Sequence, residues 1–318
     1  MRALVTGAAG FAGQWLCREL LHSGWEVWGT RLDDALPPGA LDSEGASAVR
    51  WWSGDLRTPT AAHDAIESAK PDAIFHLAGI AHVVTATADP AATLDVNVIV
   101  ASRLLGDVRT RRAEGTLDPV VVIAGSGEQY GRHDASEMPL AESAAQRPMG
   151  IYAASKPAQE VFAPEAHGTG GVRVIATRPF NHSGLGQSPN FVIPALVRRA
   201  VASRSSGAPL VMGNTDTVRD FSHVADVARA YVALAERGTP GESYNIASGV
   251  GTDMATLARR ILALAGVEAK LQSDPALVRP ADVPALVGSA AKLRAETGWA
   301  PRHSLDTILE ELIRAASH

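Results

Sequence analysis

Thr6-Gly7-Ala8-Ala9-Gly10-Phe11-Ala12-Gly13 closes the apolar run Ala3–Thr6 and opens an amphipathic one, Phe11–His22. Glycines at this spacing, between a strand and a helix, do three jobs. One turns the chain, one lets a pyrophosphate approach the backbone, and one lets the helix pack close on the strand. The free N–H groups and partial positive charge at the helix start then face the phosphates. A tight strand–helix turn with no ligand would look the same locally. Its place on the first strand favours dinucleotide binding, with Gly7, Gly10, Phe11, Ala12 and Gly13 around the phosphates.

Beyond this turn, short apolar runs alternate with longer amphipathic ones, the pattern of a parallel sheet with crossover helices. Strands are expected at Ala3–Thr6, Glu26–Gly29, Val49–Trp52, Ala73–Leu77, Val120–Ala124 and Val172–Thr177. Helices fit at Phe11–His22, Thr60–Ser68, Ala91–Ala113 and Tyr152–Ala163. Pro157 falls in the last of these and Pro164 at its end, so it is expected to be kinked or short. The fold class is α/β: a doubly wound parallel sheet of the Rossmann type with a smaller C-terminal α/β lobe. Residues 1–177 make the dinucleotide-binding domain, with a return at about 217–241. Residues 178–216 and 242–318 make the lobe, and the cleft between them lies at the carboxyl ends of the strands. Pro37–Ser47 reads as a mobile surface loop.

The bulk numbers exclude several classes. The chain has 318 residues, 46% apolar and 20% charged, which is ordinary globular composition. A net charge of −5 without a long basic run argues against nucleic acid. Cys17 is the single cysteine, so no intrachain disulfide forms. Met1–Thr6 runs straight into the glycine turn, unlike a signal peptide, and no apolar stretch reaches the ~18 residues of a membrane span. A soluble cytoplasmic protein is expected. The histidines show no metal-ligand spacing, so no metal is assigned.

Arg31 stands at the end of the second strand, from which a side chain reaches the adenosine ribose. An acidic residue there accepts from a free 2′-hydroxyl, whereas arginine pairs with a 2′-phosphate. NADP(H) is favoured on this side chain. Asp33 and Asp34 nearby would serve NAD(H) instead, and Arg31 alone could be a solvated surface residue. Asp55 and Leu56, after the third strand, are placed to meet the adenine, although an Asp at a strand exit is often a helix cap.

Tyr152-Ala153-Ala154-Ser155-Lys156 puts a tyrosine and a lysine on one helix face. An ammonium beside a phenol favours the phenolate, so the lysine is expected to lower the tyrosine's pKa. Such a tyrosine can give a proton to a carbonyl oxygen or take one back. Ser126, at the end of the fifth strand, would donate to the same oxygen. A tyrosine and lysine at this spacing are commonplace surface residues when alone; together with the glycine turn and Gly125-Ser126 they form a catalytic set.

The glycine turn, His76-Leu77-Ala78-Gly79, Asn97, the Ser126, Tyr152 and Lys156 set and Arg178-Pro179-Phe180-Asn181 together resemble the extended short-chain dehydrogenases, over essentially the whole chain. Within them the chain is most similar to GDP-4-keto-6-deoxy-D-mannose reductases, with GDP-mannose 4,6-dehydratases as close relatives. Phe180–Gln187, Gly213-Asn214, Val218–Phe221 and Val278–Pro284 carry this likeness. The resemblance implies a homodimer through the 91–113 and 152–163 helices, and Leu77, Ala78, Gly79 and Lys156 against the cofactor. It also implies Asn181, Arg219 and Arg279 on the diphosphate and sugar of a nucleotide-sugar substrate, Phe191, Val192 and Asn214 near its base, and Asp282 near its ribose. Without it, Arg219 and Arg279 would read as surface salt-bridge partners. Glu128 matches the glutamate that the dehydratases use as a base, and similar reductases keep it. Gly127 departs from the second hydroxyl residue common there, and Asp282 from a more usual glutamate. Ser183–Gln187 lacks the charged, arginine-containing character of the dehydratases and so favours a reductase. A non-enzymatic dinucleotide sensor would be expected to have lost Tyr152 or Lys156; both are present.

Overall fold

The computed structural model describes residues 1–278 and 283–317. Its central sheet contains β1 (Arg2–Thr6), β2 (Glu26–Arg31), β3 (Arg50–Ser53), β4 (Ala73–His76), β5 (Val120–Ala124) and β6 (Arg173–Pro179), together with Ser243–Ile246. The order across the seven-stranded sheet is Ser243–Ile246, β6, β5, β4, β1, β2, β3. Neighbouring strands are parallel throughout. The order reverses beside β1, so the loops leaving β1 and β4 diverge and open a crevice at their carboxyl ends.

Two boundaries differ from the sequence reading. Ser243–Ile246, assigned there to the lobe, is the edge strand of the main sheet and sets Ser243 opposite Ala176. It is short and half polar, so nothing in its composition announces which sheet it joins. Conversely, the return to the main domain begins at Val224 rather than near 217. Val218–His223 is the middle strand of the lobe sheet, pairing with Asn181–Ser183, Gly251–Asp253 and Ala285–Leu286.

Helices cover both faces of the main sheet. On one face, Phe11–His22, Val224–Arg237 and Ala291–Thr297 bury Leu16, Leu20, Tyr231, Leu234 and Leu293, with Trp299 just beyond the last helix, against Val5, Val27, Phe75 and Tyr244. On the other, Ala61–Ala69, Val100–Ala113 and Phe162–Gly170 bury Ile66, Leu104 and Val108 against Leu4, Ile74, Val121 and Val174. Each such side chain contributes about 1.5–3 kcal/mol on full burial, which makes strands with two apolar faces energetically self-consistent. The lobe has its own core of Ile193, Leu196, Leu257, Ile261 and Leu309.

The expected single helix over 91–113 is interrupted. Pro90–Leu94 runs into a π-helical turn at Asp95–Ile99 and then into Val100–Ala113. Asn97 lies in that wide turn and is fully buried. The tyrosine helix ends early, as its prolines require: Ile151–Glu160 stops, and Phe162–Gly170 continues after Val161. Pro164 falls in the first turn of the second helix, where its missing N–H is tolerated. Pro37–Ser47 is more fixed than its composition suggests. Gln14 Nε2 donates to Pro37 O at 2.9 Å, Leu41 is buried, and Ser43–Ala48 is helical.

Candidate active site

The glycine turn is sterically obligatory. Gly7 has φ +69°, and a Cβ there would lie 2.9 Å from the Ala78 backbone. A Cβ on Gly13 would lie 2.2 Å from the Gly7 carbonyl oxygen. Gly7 N–H donates to Thr30 Oγ1 at 3.0 Å and Ala8 N–H to Thr30 O at 3.1 Å, which ties the turn to β2. Gln14 N–H makes a back-bond to Gly10 O at 2.9 Å, so the N–H groups of Phe11, Ala12 and Gly13 are those a helix start offers to an anion. Phe11 is stacked by His182 of the lobe, ring centroids 6.1 Å apart. His182 escaped the sequence reading because nothing local marks it.

The loop after β4 joins this turn to the catalytic helix. Ala78 N–H donates to Thr6 Oγ1 at 3.2 Å, and a Cβ on the exposed Gly79 would lie 3.7 Å from Lys156 Nζ. The nucleotide-type turn and the tyrosine–lysine helix therefore border one cleft.

Ser126 caps the short 3₁₀ helix Gly127–Tyr130, its hydroxyl accepting from Glu128 N–H at 3.1 Å. The Tyr152 side chain lies close enough to Ser126 for the serine to favour the phenolate. Burial pushes the Tyr152 phenol up to about 12, against this effect of Ser126 and with the Glu128 charge adding to the rise. The sequence reading expected a lowered value. The reason for the difference is visible: Lys156 Nζ lies 6.0 Å from the centre of the Tyr152 ring and is itself pushed down to about 8 by burial. Its donors go to Ala124 O at 2.9 Å and Gln159 Oε1 at 3.2 Å. His76 is held neutral, down to about 3, by burial and by the Lys156 charge.

A second layer fixes these groups, and most of it was not legible in the sequence. Asn97 Nδ2 donates to Ser155 Oγ at 2.9 Å and to Ile80 O at 3.1 Å, while its Oδ1 accepts from Ile80 N at 2.7 Å. Ser155 in turn donates to Tyr152 O at 2.7 Å. On the far side of the helix, buried Glu160 pairs with Arg178 at 2.5 Å and accepts from Gln129 and Ser243. Burial alone would raise the Glu160 carboxyl; Arg178, Gln129 and Ser243 reverse this and hold it below the ordinary range. Gly127 also finds its reason here, since a Cβ would lie 2.9 Å from the Phe180 ring.

At the end of β2, Arg31 is stacked over Trp51 at 5.2 Å and donates to Ser53 Oγ at 3.0 Å and Asp34 Oδ1 at 2.7 Å. Asp55 is engaged by Arg57, whose hydrogen bonds hold its carboxyl below the usual range. Leu56 beside it is half-buried.

Two of the expected substrate residues, Asn181 and Arg219, lie on the lobe sheet. Asn181 pairs with Phe221, and Arg219 lies two residues earlier on the same strand. Arg219 is buried rather than superficial and donates to Val218 O and Val283 O. Phe191 caps the Val192–Ser206 helix, 5.7 Å from the His82 ring. Val192 is partly exposed, and Asn214 lies in the half-buried loop after Leu210–Met212. Arg279 and Asp282 lie outside the described residues. Among the described residues no cluster of histidine, cysteine and acidic side chains could hold a metal ion. No helix there is long and apolar enough to cross a membrane.

Residues 4–312 match the family described as GDP-mannose 4,6 dehydratase. The chain belongs to the GDP-mannose 4,6-dehydratase family. It is 33% identical to the GDP-6-deoxy-D-mannose reductase of Pseudomonas aeruginosa over 318 residues, covering 98% of this chain and 96% of that one. The structure of RMD from Pseudomonas aeruginosa complexed with NADPH superposes with a TM-score of 0.82 at 29% identity, covering 100% and 99% of the two chains. The Thermus thermophilus UDP-glucose 4-epimerase complex with NAD gives a TM-score of 0.85 at 27% identity, with 99% of each chain covered. Membership of the dehydratase family makes this chain an enzyme of the NAD(P)-dependent oxidoreductase type. Its side-chain-free turn at Gly7 and Gly13 fits a dinucleotide, because backbone and helix start are left open to a pyrophosphate.

Proposed function

We propose that the protein reduces the C4 keto group of a nucleotide-linked 4-keto-6-deoxyhexose, with GDP-4-keto-6-deoxy-D-mannose to GDP-D-rhamnose as its reaction. The observation that carries this is the joining of Ser126, Tyr152 and Lys156 at one cleft with the glycine turn, in a chain 33% identical to a GDP-6-deoxy-D-mannose reductase. The dinucleotide supplies a hydride when bound. Tyr152 delivers the proton to the C4 oxygen, which suits a phenol held in its protonated form. Ser126 donates a hydrogen bond to the oxygen as charge develops there. Lys156, held by Ala124 O and Gln159, keeps a positive charge beside the phenol and contacts the nicotinamide ribose.

Several finer assignments belong to this reading. Gly7, Gly10, Phe11, Ala12 and Gly13 hold the pyrophosphate, Asp55 and Leu56 border the adenine, and Leu77, Ala78 and Gly79 border the rest of the cofactor. Asn181, Arg219 and Arg279 hold the substrate diphosphate and sugar, Phe191, Val192 and Asn214 its base, and Asp282 its ribose. Arg31 at the ribose end favours NADPH over NADH. Two copies pair through the helices at 90–113 and 151–170, where Leu94, Ile99 and Val161 are exposed apolar residues. The setting is cytoplasmic.

One observation favours a second reaction on the same site. Glu128 lies close enough for its charge to act on Tyr152, where a carboxylate base for dehydration would sit. Incubation with NADPH and a panel of GDP- and dTDP-linked 4-keto-6-deoxyhexoses, and separately with oxidised cofactor and GDP-mannose, followed by NMR of the products, tests the proposal. Stoichiometric NADPH consumption with a 4-hydroxy product supports the reductase. Conversion of GDP-mannose without net cofactor consumption replaces it by the dehydratase reading.

A further inference from the structure

Gln129 is fully buried, and both ends of its amide are used. Its Oε1 accepts from the Ser126 backbone N–H at 3.2 Å, and its Nε2 donates to Glu160 Oε2 at 2.5 Å. The orientation is chemically determined, because a flipped amide would set an oxygen against the carboxylate and an N–H against another N–H. A Cβ on Gly125 would lie 3.0 Å from Gln129 Oε1, so the amide also lies against the strand exit that leads into Ser126.

The other end of the connection is rigid. Glu160 sits on the Tyr152 helix and accepts from Arg178 Nε at 3.0 Å, Arg178 NH2 at 2.5 Å and Ser243 Oγ at 2.9 Å. Arg178 NH1 donates to Tyr130 Oη at 2.7 Å, and Tyr130 Oη donates to Asn245 Oδ1 at 2.7 Å. The network thus reaches the edge strand of the sheet, and its members are buried except Ser243, which is half-buried. One side-chain amide connects the loop carrying Ser126 to the helix carrying Tyr152 and Lys156.

We propose that Gln129 is a positioning residue for catalysis, setting Ser126 against Tyr152 by tying the Ser126 backbone to the Glu160–Arg178 pair. The inference rests on the active-site reading above, in which Ser126 donates to the substrate oxygen. Small displacements at such a site cost rate, about 100-fold for 1 Å. A purely structural role would instead be to satisfy two buried polar groups, which lowers stability when removed but has no special relation to Ser126.

A double-mutant cycle separates the two. Gln129→Met keeps the length and removes both hydrogen bonds; it is compared with Ser126→Ala and with the double variant. Reduction of the substrate identified above is followed with NADPH, kcat and KM being measured separately. Gln129→Met is expected to lower kcat about 10- to 100-fold, part of the loss expected on removing the Ser126 donor altogether, with KM within about twofold. In the Ser126→Ala background the same change should cost less than about threefold, because the group it positions is gone. Equal losses in both backgrounds, or an unchanged kcat in the single variant, overturn the proposal. If Ser126→Ala by itself leaves kcat intact, the active-site reading fails instead. Should Gln129→Met fail to fold, Gln129→Asn retains the amide one methylene short and is taken through the same cycle, with the same two outcomes decisive.

Discussion

Lys156 Nζ donates to the side-chain oxygen of Gln159, one turn farther along the same helix, at 3.2 Å. Both residues are buried, and the ammonium is already weakened, its value falling from 10.5 to about 8 through burial. The amide oxygen favours the charged form, which the role proposed for Lys156 beside Tyr152 calls for.

The first prediction follows from that pairing. Reduction should hold through neutral pH and fall as pH rises through about 8, where Lys156 loses its proton. Tyr152, at about 12, remains protonated across this range and does not limit the reaction. Unfolding would not mimic the loss at this group. Between about 8 and 10.5 the unfolded chain holds the lysine proton and the native one does not, so this group's contribution to stability rises with pH. Gln159→Leu removes the acceptor and should move the alkaline limb of the kcat profile to lower pH. An unmoved limb would mean that Ala124 O alone holds the ammonium.

Tyr152→Phe should reduce turnover by about 10²–10⁴-fold, the range for a removed general acid, while leaving NADPH binding in place. Ser126→Ala should cost about 10²–10³-fold, as for one lost oxyanion donor. Lys156→Met should impair both turnover and cofactor binding. Stopped-flow turnover with fluorescence titration of NADPH checks all three, and near-normal reduction by Tyr152→Phe would refute its role as proton donor.

Arg31 is tied to Asp34, whose side chain is 86% exposed, by a contact that solvent makes inexpensive to exchange for a phosphate. NADPH is therefore expected to bind more tightly than NADH, by about tenfold, corresponding to about 1–2 kcal/mol for one charge-assisted contact. Arg31→Ala should erase the preference by weakening NADPH alone. Asp34→Ala should widen it by freeing the guanidinium. Equal weakening of both cofactors by Arg31→Ala would assign the residue to adenine stacking, as it already stacks on Trp51.

Leu94, Ile99 and Val161 are each at least 40% exposed and belong to the helical segments 90–113 and 151–170, through which pairing is proposed. Sedimentation velocity at micromolar concentration should show a dimer, and Ile99→Asp with Val161→Asp should yield a folded monomer. A monomer in the unsubstituted protein would remove the idea.

The glycine turn, the alternating strands and the Tyr152–Lys156 spacing were readable in the chain because each is a local pattern. Gly7 and Gly13 admit no Cβ, strands buried on both faces must be apolar, and positions four apart share a helix face. Pro157 and Pro164 likewise announced the break at Val161.

Other features depended on partners distant in the chain. Ser243–Ile246 joins the main sheet because β6 has an open edge there, not because of its own composition. Gln129, Gln159, Glu160 and Arg178 are polar residues that any surface would tolerate. They become a buried network only when β5, β6 and the tyrosine helix meet, since burial then demands a partner for each of their donors and acceptors. The direction of the Tyr152 shift was decided in the same way. Spacing alone put a positive charge near the phenol, but three-dimensional packing set their separation and the desolvation of both, and desolvation raised the phenol.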